Sequence, residues 1–422
     1  MAWRGKGFSS RPRTVILVGT YPPRECGIAT FTRDLAMGIE SADRSVKCFV
    51  IAVDDGKGYR YPPEVVGVIP EGDPAAYVRT ARWVNRSDFD MVCIQHEFGI
   101  FGGDEGEFIL DFLAELDKPV VTTLHTILPN PKPSQRRIIR ALVSRSDATV
   151  VMLGEGRKIL REVYNLDVSR THVIHHGVPV FPNGDREEAK RRLGLEGRLV
   201  LSTFGLISEG KGIEYMILAM PQVVRRFPNA IYLVVGETHP KIKALYGERY
   251  REELERLVKA LGLEKHVRFE NRYLPLEDLI LYLTATDVYV TPYLNPQQAT
   301  SGTLAYAIGA GRACVSTPYL YAKEMLGDGR GALAEFRSPK SLARRVIEVL
   351  SNPALKARME REALELGLRM TWPEVGRQYL ELFEEVLAER EAASYQPSVA
   401  EDLPFEVDLK GRRGPSRPPT SP

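Results

Sequence analysis

The chain is poor in cysteine, balanced in charge and without long apolar runs, and each of these excludes something. Its four cysteines, Cys26, Cys48, Cys93 and Cys314, stand far apart and form no Cys-x-x-Cys pair. That argues against a zinc site or a redox motif and suits a reducing compartment. Cys48, Cys93 and Cys314 lie in apolar runs and read as small buried hydrophobes. A net charge of +2 over 422 residues is too small to mark a nucleic-acid binder. No stretch approaches the roughly 20 apolar residues that span a bilayer. The basic, Gly/Ser-rich start, residues 1–13, has no apolar segment after it and does not read as a secretory signal. The Pro-, Ser- and Arg-rich end, residues 394–422, lacks the apolar surface to order itself and reads as a disordered tail. A cytoplasmic protein is expected.

What is present is alternation. Thr14–Thr20, Val46–Val53, Met91–Ile94, Val120–Thr123, Ala148–Met152 and His172–Ile174 read as strands. They are almost continuous in Val, Ile and Leu, as strands covered on both faces are. Ala29–Ile39, Glu105–Leu116, Gln135–Ser144 and Glu155–Tyr164 read as the helices between them. A run of turn formers, Val178–Asp185, interrupts the pattern and reads as a linker. The alternation then resumes from Leu199–Phe204 to Ala332–Glu335, followed by helices over Ala354–Leu368 and Glu374–Glu389. The fold class is therefore α/β, with two doubly wound parallel sheets facing across a cleft. Parallel sheets bind ligands beyond the carboxyl ends of their strands, which places the site in that cleft.

Three loops at strand ends carry chemistry. In Gly19-Thr-Tyr-Pro-Pro-Arg-Glu-Cys-Gly27, Gly27 opens a helix, where free N–H groups suit a phosphate or a sugar hydroxyl; a ligand-free tight turn accounts for it equally. In Phe204-Gly-Leu-Ile-Ser-Glu-Gly-Lys-Gly212, Lys211 beside Gly205 and two further glycines reads as a cation aimed at a diphosphate rather than at solvent. In Pro292–Gly311, a polar loop leads into a small-residue helix at Ser301, and the amides of Ser301, Gly302, Thr303 and Leu304 form a second anion-binding helix start. His125 and His96 follow first-half strands and face the expected cleft, His125 being the stronger site candidate. His175 and His176 read as hinge lining. Asp88-Phe-Asp90 has metal-ligand spacing but precedes its strand, at the wrong end. The segment Lys132–Arg145 is a basic amphipathic helix, most simply a solvated face, with peripheral contact to the inner membrane surface as the minority reading.

These residues together resemble a family. From Thr14 to Leu387 the chain is similar to GT-B glycosyltransferases of the large retaining group called family 4. The resemblance rests on the Tyr21–Gly27 loop, Gly205–Gly212, Val234-Val-Gly236, the helix ending at Gly311 and Thr371-Trp-Pro-Glu-Val375. It implies a first, acceptor-side domain over 14–182, a nucleotide-sugar domain over 183–370, and a helix over 371–393 that crosses back to the first. It implies Gly27 near the donor phosphates, His125 near the sugar, and a diphosphate held by Lys211 and the Ser301–Leu304 amides. It also implies that neither a metal nor a protein nucleophile is needed, because the lysine and helix starts stabilise the leaving diphosphate.

The chain departs from the family at three positions. Leu206 stands where an arginine is usual, and Gln298 and Tyr306 stand where two glutamates are usual. Gln298 retains hydrogen bonding to a sugar hydroxyl and Tyr306 to a ribose, without the charges. The segment Glu25-Cys-Gly-Ile-Ala-Thr-Phe-Thr32 resembles mannosyltransferase-like sequences, and on that resemblance alone GDP-mannose is the favoured donor. The expected partners are a nucleotide-sugar donor and a carbohydrate or lipid-linked acceptor. Two other readings stay open: an epimerase of the same architecture acting on the nucleotide sugar without an acceptor, and a low-activity nucleotide-sugar-binding partner subunit.

Overall fold

In a computed structural model, residues 11–182 and 184–394 are described. The predicted basic start and tail therefore lie almost wholly outside the described residues, as does Asn183 of the predicted linker. Seven strands build the first sheet: β1 (Thr14–Gly19), β2 (Lys47–Asp54), β3 (Val65–Pro70), β4 (Met91–His96), β5 (Val120–Leu124), β6 (Ala148–Val151) and β7 (Thr171–Val173). They run parallel in the order β3-β2-β1-β4-β5-β6-β7. Six more build the second: β8 (Leu199–Phe204), β9 (Ala230–Val235), β10 (Val267–Glu270), β11 (Val288–Thr291), β12 (Ala313–Ser316) and β13 (Gly331–Leu333). These are parallel too, in the order β10-β9-β8-β11-β12-β13. Strand order reverses between β1 and β4 and between β8 and β11, opening a crevice at each reversal.

Two elements of the first half escape the sequence pattern. β3 is an edge strand whose residues alternate between covered and open, with Val66 and Val68 exposed, so it shows no continuous apolar run. The helix Pro74–Arg86 that follows it is amphipathic, starts on Pro74 and is capped by Asp73. The predicted helix over Glu105–Leu116 shortens to Ile109–Glu115, because Glu105 at φ +54° breaks the first turn.

The last helix, Trp372–Ser394, packs on the first sheet and not the second. Val375, Tyr379, Phe383 and Val386 join Phe31, Leu35 and Ile39 of the helix Gly27–Ala42 in one apolar core. The two helices cross where Gly376 meets Gly38; a Cβ at Gly376 would fall 2.2 Å from the Gly38 backbone, so only glycine permits this approach. The hydroxyls of Tyr379 and Thr123 lie 2.8 Å apart in the interior, and Arg390 grips Asp147 at the surface. The chain passes between the sheets twice, and the two passages lie side by side: the Val178 amide donates to the Met370 carbonyl at 2.8 Å and the Trp372 amide to the Val178 carbonyl at 2.9 Å.

Candidate active site

Where the carboxyl ends of both sheets face each other lies a cavity of about 650 Å3. On the first side, the loop after β1 turns into the helix at Gly27. Cys26 caps it: its extended backbone turns the chain, and its Sγ accepts from the Ala29 amide at 3.4 Å and lies 3.1 Å from Thr20 Oγ1. A side chain added at Gly27 would meet nothing within 4 Å, so the backbone here lies open to the cavity. One and two turns on, Phe31 and Asp34 line the same wall. Burial raises the Asp34 carboxyl above the ordinary range, while bonds from Arg33 at 2.7 and 2.9 Å hold it down.

His125 follows β5 and reaches the cavity. Its Nε2 lies 3.0 Å from Gln95 Oε1, and its ring meets Phe31 edge-on at 4.6 Å. Burial, helped by His176 and His96, pushes its pKa down to about 3, so the ring is neutral near pH 7. His96 does not reach the cavity. As the last residue of β4 it turns into the core, stacked on Phe101, with neither ring nitrogen hydrogen-bonded. Its neighbour Glu97 takes the cavity position instead. Glu97 Oε1 accepts from the Phe98 amide at 3.0 Å and Oε2 from Thr126 Oγ1 at 2.6 Å, and burial raises its carboxyl.

The second side supplies the positive end. Gly205 and Gly236, at φ +122° and +131°, let the turns after β8 and β9 touch; a Cβ at Gly236 would fall 2.2 Å from the Gly205 oxygen. Beyond Gly205 the chain makes one tight turn, Glu209–Lys211, and places Lys211 in the cavity. Its Nζ lies 4.0 Å from the centre of the Tyr293 ring and pairs with no carboxylate among the described residues. Tyr293 is held in turn by Tyr319 stacked at 5.2 Å and by Thr303 Oγ1 at 2.7 Å. Linked to Lys211 through Tyr293, the helix Gly302–Gly309 begins with Ser301 as its cap. Ser301 Oγ occupies the Leu304 amide at 3.3 Å, and Leu304 is fully buried. The expected set of four amides therefore narrows to those of Gly302 and Thr303, which have no acceptor one turn back and belong to residues lining the cavity.

The three departures all line the cavity. Leu206 puts an alkyl chain there. Gln298 donates from Nε2 to its own loop at the Thr300 carbonyl, 3.0 Å away. Tyr306 stands among the rings of Phe204, Phe181 and His176, and burial keeps its hydroxyl protonated. The halves also touch directly: Thr300 Oγ1 donates to the His125 carbonyl at 2.9 Å, and the Glu324 carboxylate accepts from the Gly154 and Glu155 amides at 2.7 and 3.0 Å.

Elsewhere, Asp90 binds the start of β1, accepting from the Arg13 and Thr14 amides at 2.7 and 2.9 Å, at the end of the sheet remote from the cavity. Among the described residues no group of three or more His, Cys, Asp or Glu is placed to hold a metal ion. No helix there is long and apolar enough to cross a membrane. In the basic helix Pro133–Arg145, Lys132 and Arg137 pair with Glu105 and Glu107, and Arg136 and Arg140 donate to the Val163 and Tyr164 carbonyls.

Sequence reasoning did not single out Asp34, Glu97 or Tyr293, and it read His176 only as hinge lining. Glu97 and His176 sit at strand ends, so the rule that found His125 reaches them once the side each residue faces is known. Asp34 continues the helical face from Gly27 through Phe31. Tyr293 had no signal, because it acts through contacts between loops.

Comparison with known proteins agrees with this architecture. Residues 26–180 match the model "Glycosyltransferase Family 4" and residues 185–366 the model "Glycosyl transferases group 1". A D-inositol 3-phosphate glycosyltransferase of Nocardioides sp. is 27% identical over 300 residues, 65% of this chain and 64% of its own length, so the chain spans just under two thirds of that relative. A phosphatidyl-myo-inositol mannosyltransferase of Mycolicibacterium smegmatis is 25% identical over 320 residues, covering 74% of this chain and 75% of its own. Among solved structures, Anabaena HepE in complex with UDP superposes with a TM-score of 0.70 at 17% identity, over 88% of this chain and 100% of that one, and shares the GT-B fold. With both halves matched in order, and the matches together taking in most of its length, the chain belongs to the group 1, family 4 glycosyltransferases.

Proposed function

We propose that the protein transfers a hexose from a nucleoside-diphosphate sugar to a hydroxyl of an acceptor, with retention at the anomeric carbon. The observation that carries this reading is Lys211: a cation without a carboxylate partner among the described residues, lining one cavity with the open amides of Gly302 and Thr303. A diphosphate between them is neutralised from both sides, and the charge that grows on it as the glycosidic bond breaks is stabilised where it forms. Residues 183–370 then hold the donor, residues 14–182 face the acceptor, and 371–393 tie the two. His125, neutral and anchored on Gln95, lines the sugar position. GDP-mannose is the first donor to test, given the Glu25–Thr32 segment and the mannosyltransferase relative, and a UDP-sugar the second, UDP being the nucleotide bound in the Anabaena HepE structure.

Calorimetry with GDP, UDP and ADP, then with the matching sugars, tests the reading. One diphosphate is expected to bind, with binding lost in Lys211→Ala. Binding of none of them favours a partner subunit, a reading that the alkyl chain of Leu206 in the cavity supports.

A further inference from the structure

The two walls of the cavity differ in their cations. The second-half wall carries Lys211, a helix start and one carboxylate, Glu237. The first-half wall carries Asp34 and Glu97, with no lysine or arginine among its lining residues. Asp34 is matched by Arg33, whereas Glu97 has no cation within ion-pair distance among the described residues. Its two hydrogen bonds come from neutral donors, one on each oxygen, which leaves a lone pair on each. The histidines on this wall do not compensate, since burial holds His125 and His176 down to about 3 and 4.

A phosphate or carboxylate brought against this wall meets a carboxylate with no cation beside it, and the two repel. A hydroxyl there donates a charge-assisted hydrogen bond. Resting on the glycosyl-transfer reading above, we propose that the end of the acceptor that receives the sugar is an uncharged polyol or sugar, and that Glu97 selects it by accepting a hydrogen bond from one of its hydroxyls. Glu97 thus determines specificity, held in place by Thr126 and the Phe98 amide.

The test is ligand-observed NMR titration of the full chain with three matched pairs: myo-inositol and inositol 3-phosphate, methyl mannoside and mannose 6-phosphate, glycerol and glycerol 3-phosphate. The diphosphate site is filled beforehand with whichever nucleotide binds; if none does, Lys211→Ala removes its pull on phosphate. Neutral members are expected to bind about tenfold or more tightly than their esters. Glu97→Gln, which keeps the hydrogen bonds but not the charge, should shrink that ratio several-fold. Should that variant fail to fold, Thr126→Val is expected to weaken the neutral probes while the esters stay excluded. Equal or tighter binding of the esters, no binding of any neutral probe, or an unchanged ratio in Glu97→Gln overturns the inference. A chain that binds a nucleotide yet prefers esters keeps the donor reading and loses this one. A chain that binds neutral probes but no nucleotide does the reverse.

Discussion

Replacing Lys211 by alanine isolates the electrostatic part of donor binding. The ammonium sits about 4 Å above the Tyr293 ring and pairs with no carboxylate among the described residues, so little of its charge is spent inside the protein. Against a diphosphate oxygen about 4 Å away, one unit charge is worth about 4 kcal/mol at an effective dielectric near 20. Lys211 is half-buried and the cavity is open to water, which lowers the expected loss to about 3 kcal/mol, or roughly 100-fold in kcat/KM for the donor. Donor hydrolysis without acceptor, followed by release of the nucleoside diphosphate, measures this directly. Thermal unfolding serves as the control: removing a lysine with no ion pair should leave Tm within a degree or two. A donor kcat/KM within threefold of wild type would refute the placement of the diphosphate. So would an equal loss in Tm and activity, which would make Lys211 a structural residue.

Four further outcomes follow from the geometry. Leu206→Arg adds a second cation to the cavity and should tighten diphosphate binding about tenfold by calorimetry. Glu324→Ala removes a carboxylate held by two amides of the opposite half at the start of the helix Gly154–Glu162; the loss of about 1–2 kcal/mol should open the cleft, read as a larger radius of gyration in solution scattering and a donor KM raised several-fold. Gly376→Val drives a side chain into the Gly38 backbone and should cost about 3 kcal/mol, lowering Tm by roughly 5–10 °C. Burial holds His96 down to about 3, so below pH 6.5 the unfolded chain takes up a proton that the folded one refuses, and stability falls as pH falls through that window. His96→Phe should therefore recover about 2 kcal/mol at pH 5, seen in urea unfolding, with activity preserved because His96 lies off the cavity.

Much of this fold could be read from the chain because its strands are buried on both faces. β8 coincides with its predicted run, Leu199–Phe204, to the residue, because its interior residues are buried. β3 could not be read, because an edge strand needs only one covered face and here even that face is broken by Gly67. The site divides similarly. Lys211 and His125, read from strand ends, and Gly302, read as a helix start, all line the cavity. The choice between His96 and Glu97 was not legible, because it depends on which way the last strand residue turns. Position alone favoured the histidine, yet its ring is in the core and the carboxylate beside it lines the cavity. Tyr293 was invisible for another reason: its role is to seat Lys211, which is a property of two loops together.

The charge asymmetry of the cavity bears on the departures at Leu206, Gln298 and Tyr306. A donor diphosphate carries at least two negative charges. With an alkyl chain at 206, Lys211 is the one lysine or arginine among the described residues lining the cavity, and the helix start at Gly302 adds about half a unit. On the proposed reading that balance, with Glu237 also lining this side, leaves a bound donor incompletely neutralised. A glutamate at 298 or 306 would then add negative charge beside a phosphate already short of partners. Glutamine and a protonated tyrosine hydroxyl supply hydrogen bonds without that charge. Relative to the pattern the sequence resembles, one positive and two negative groups are absent together, while Glu237 keeps one carboxylate on this side. On the opposite wall stands Glu97 with no cation beside it, and on the proposed reading its carboxylate lies on the acceptor side, where it can orient a hydroxyl without facing the donor phosphates.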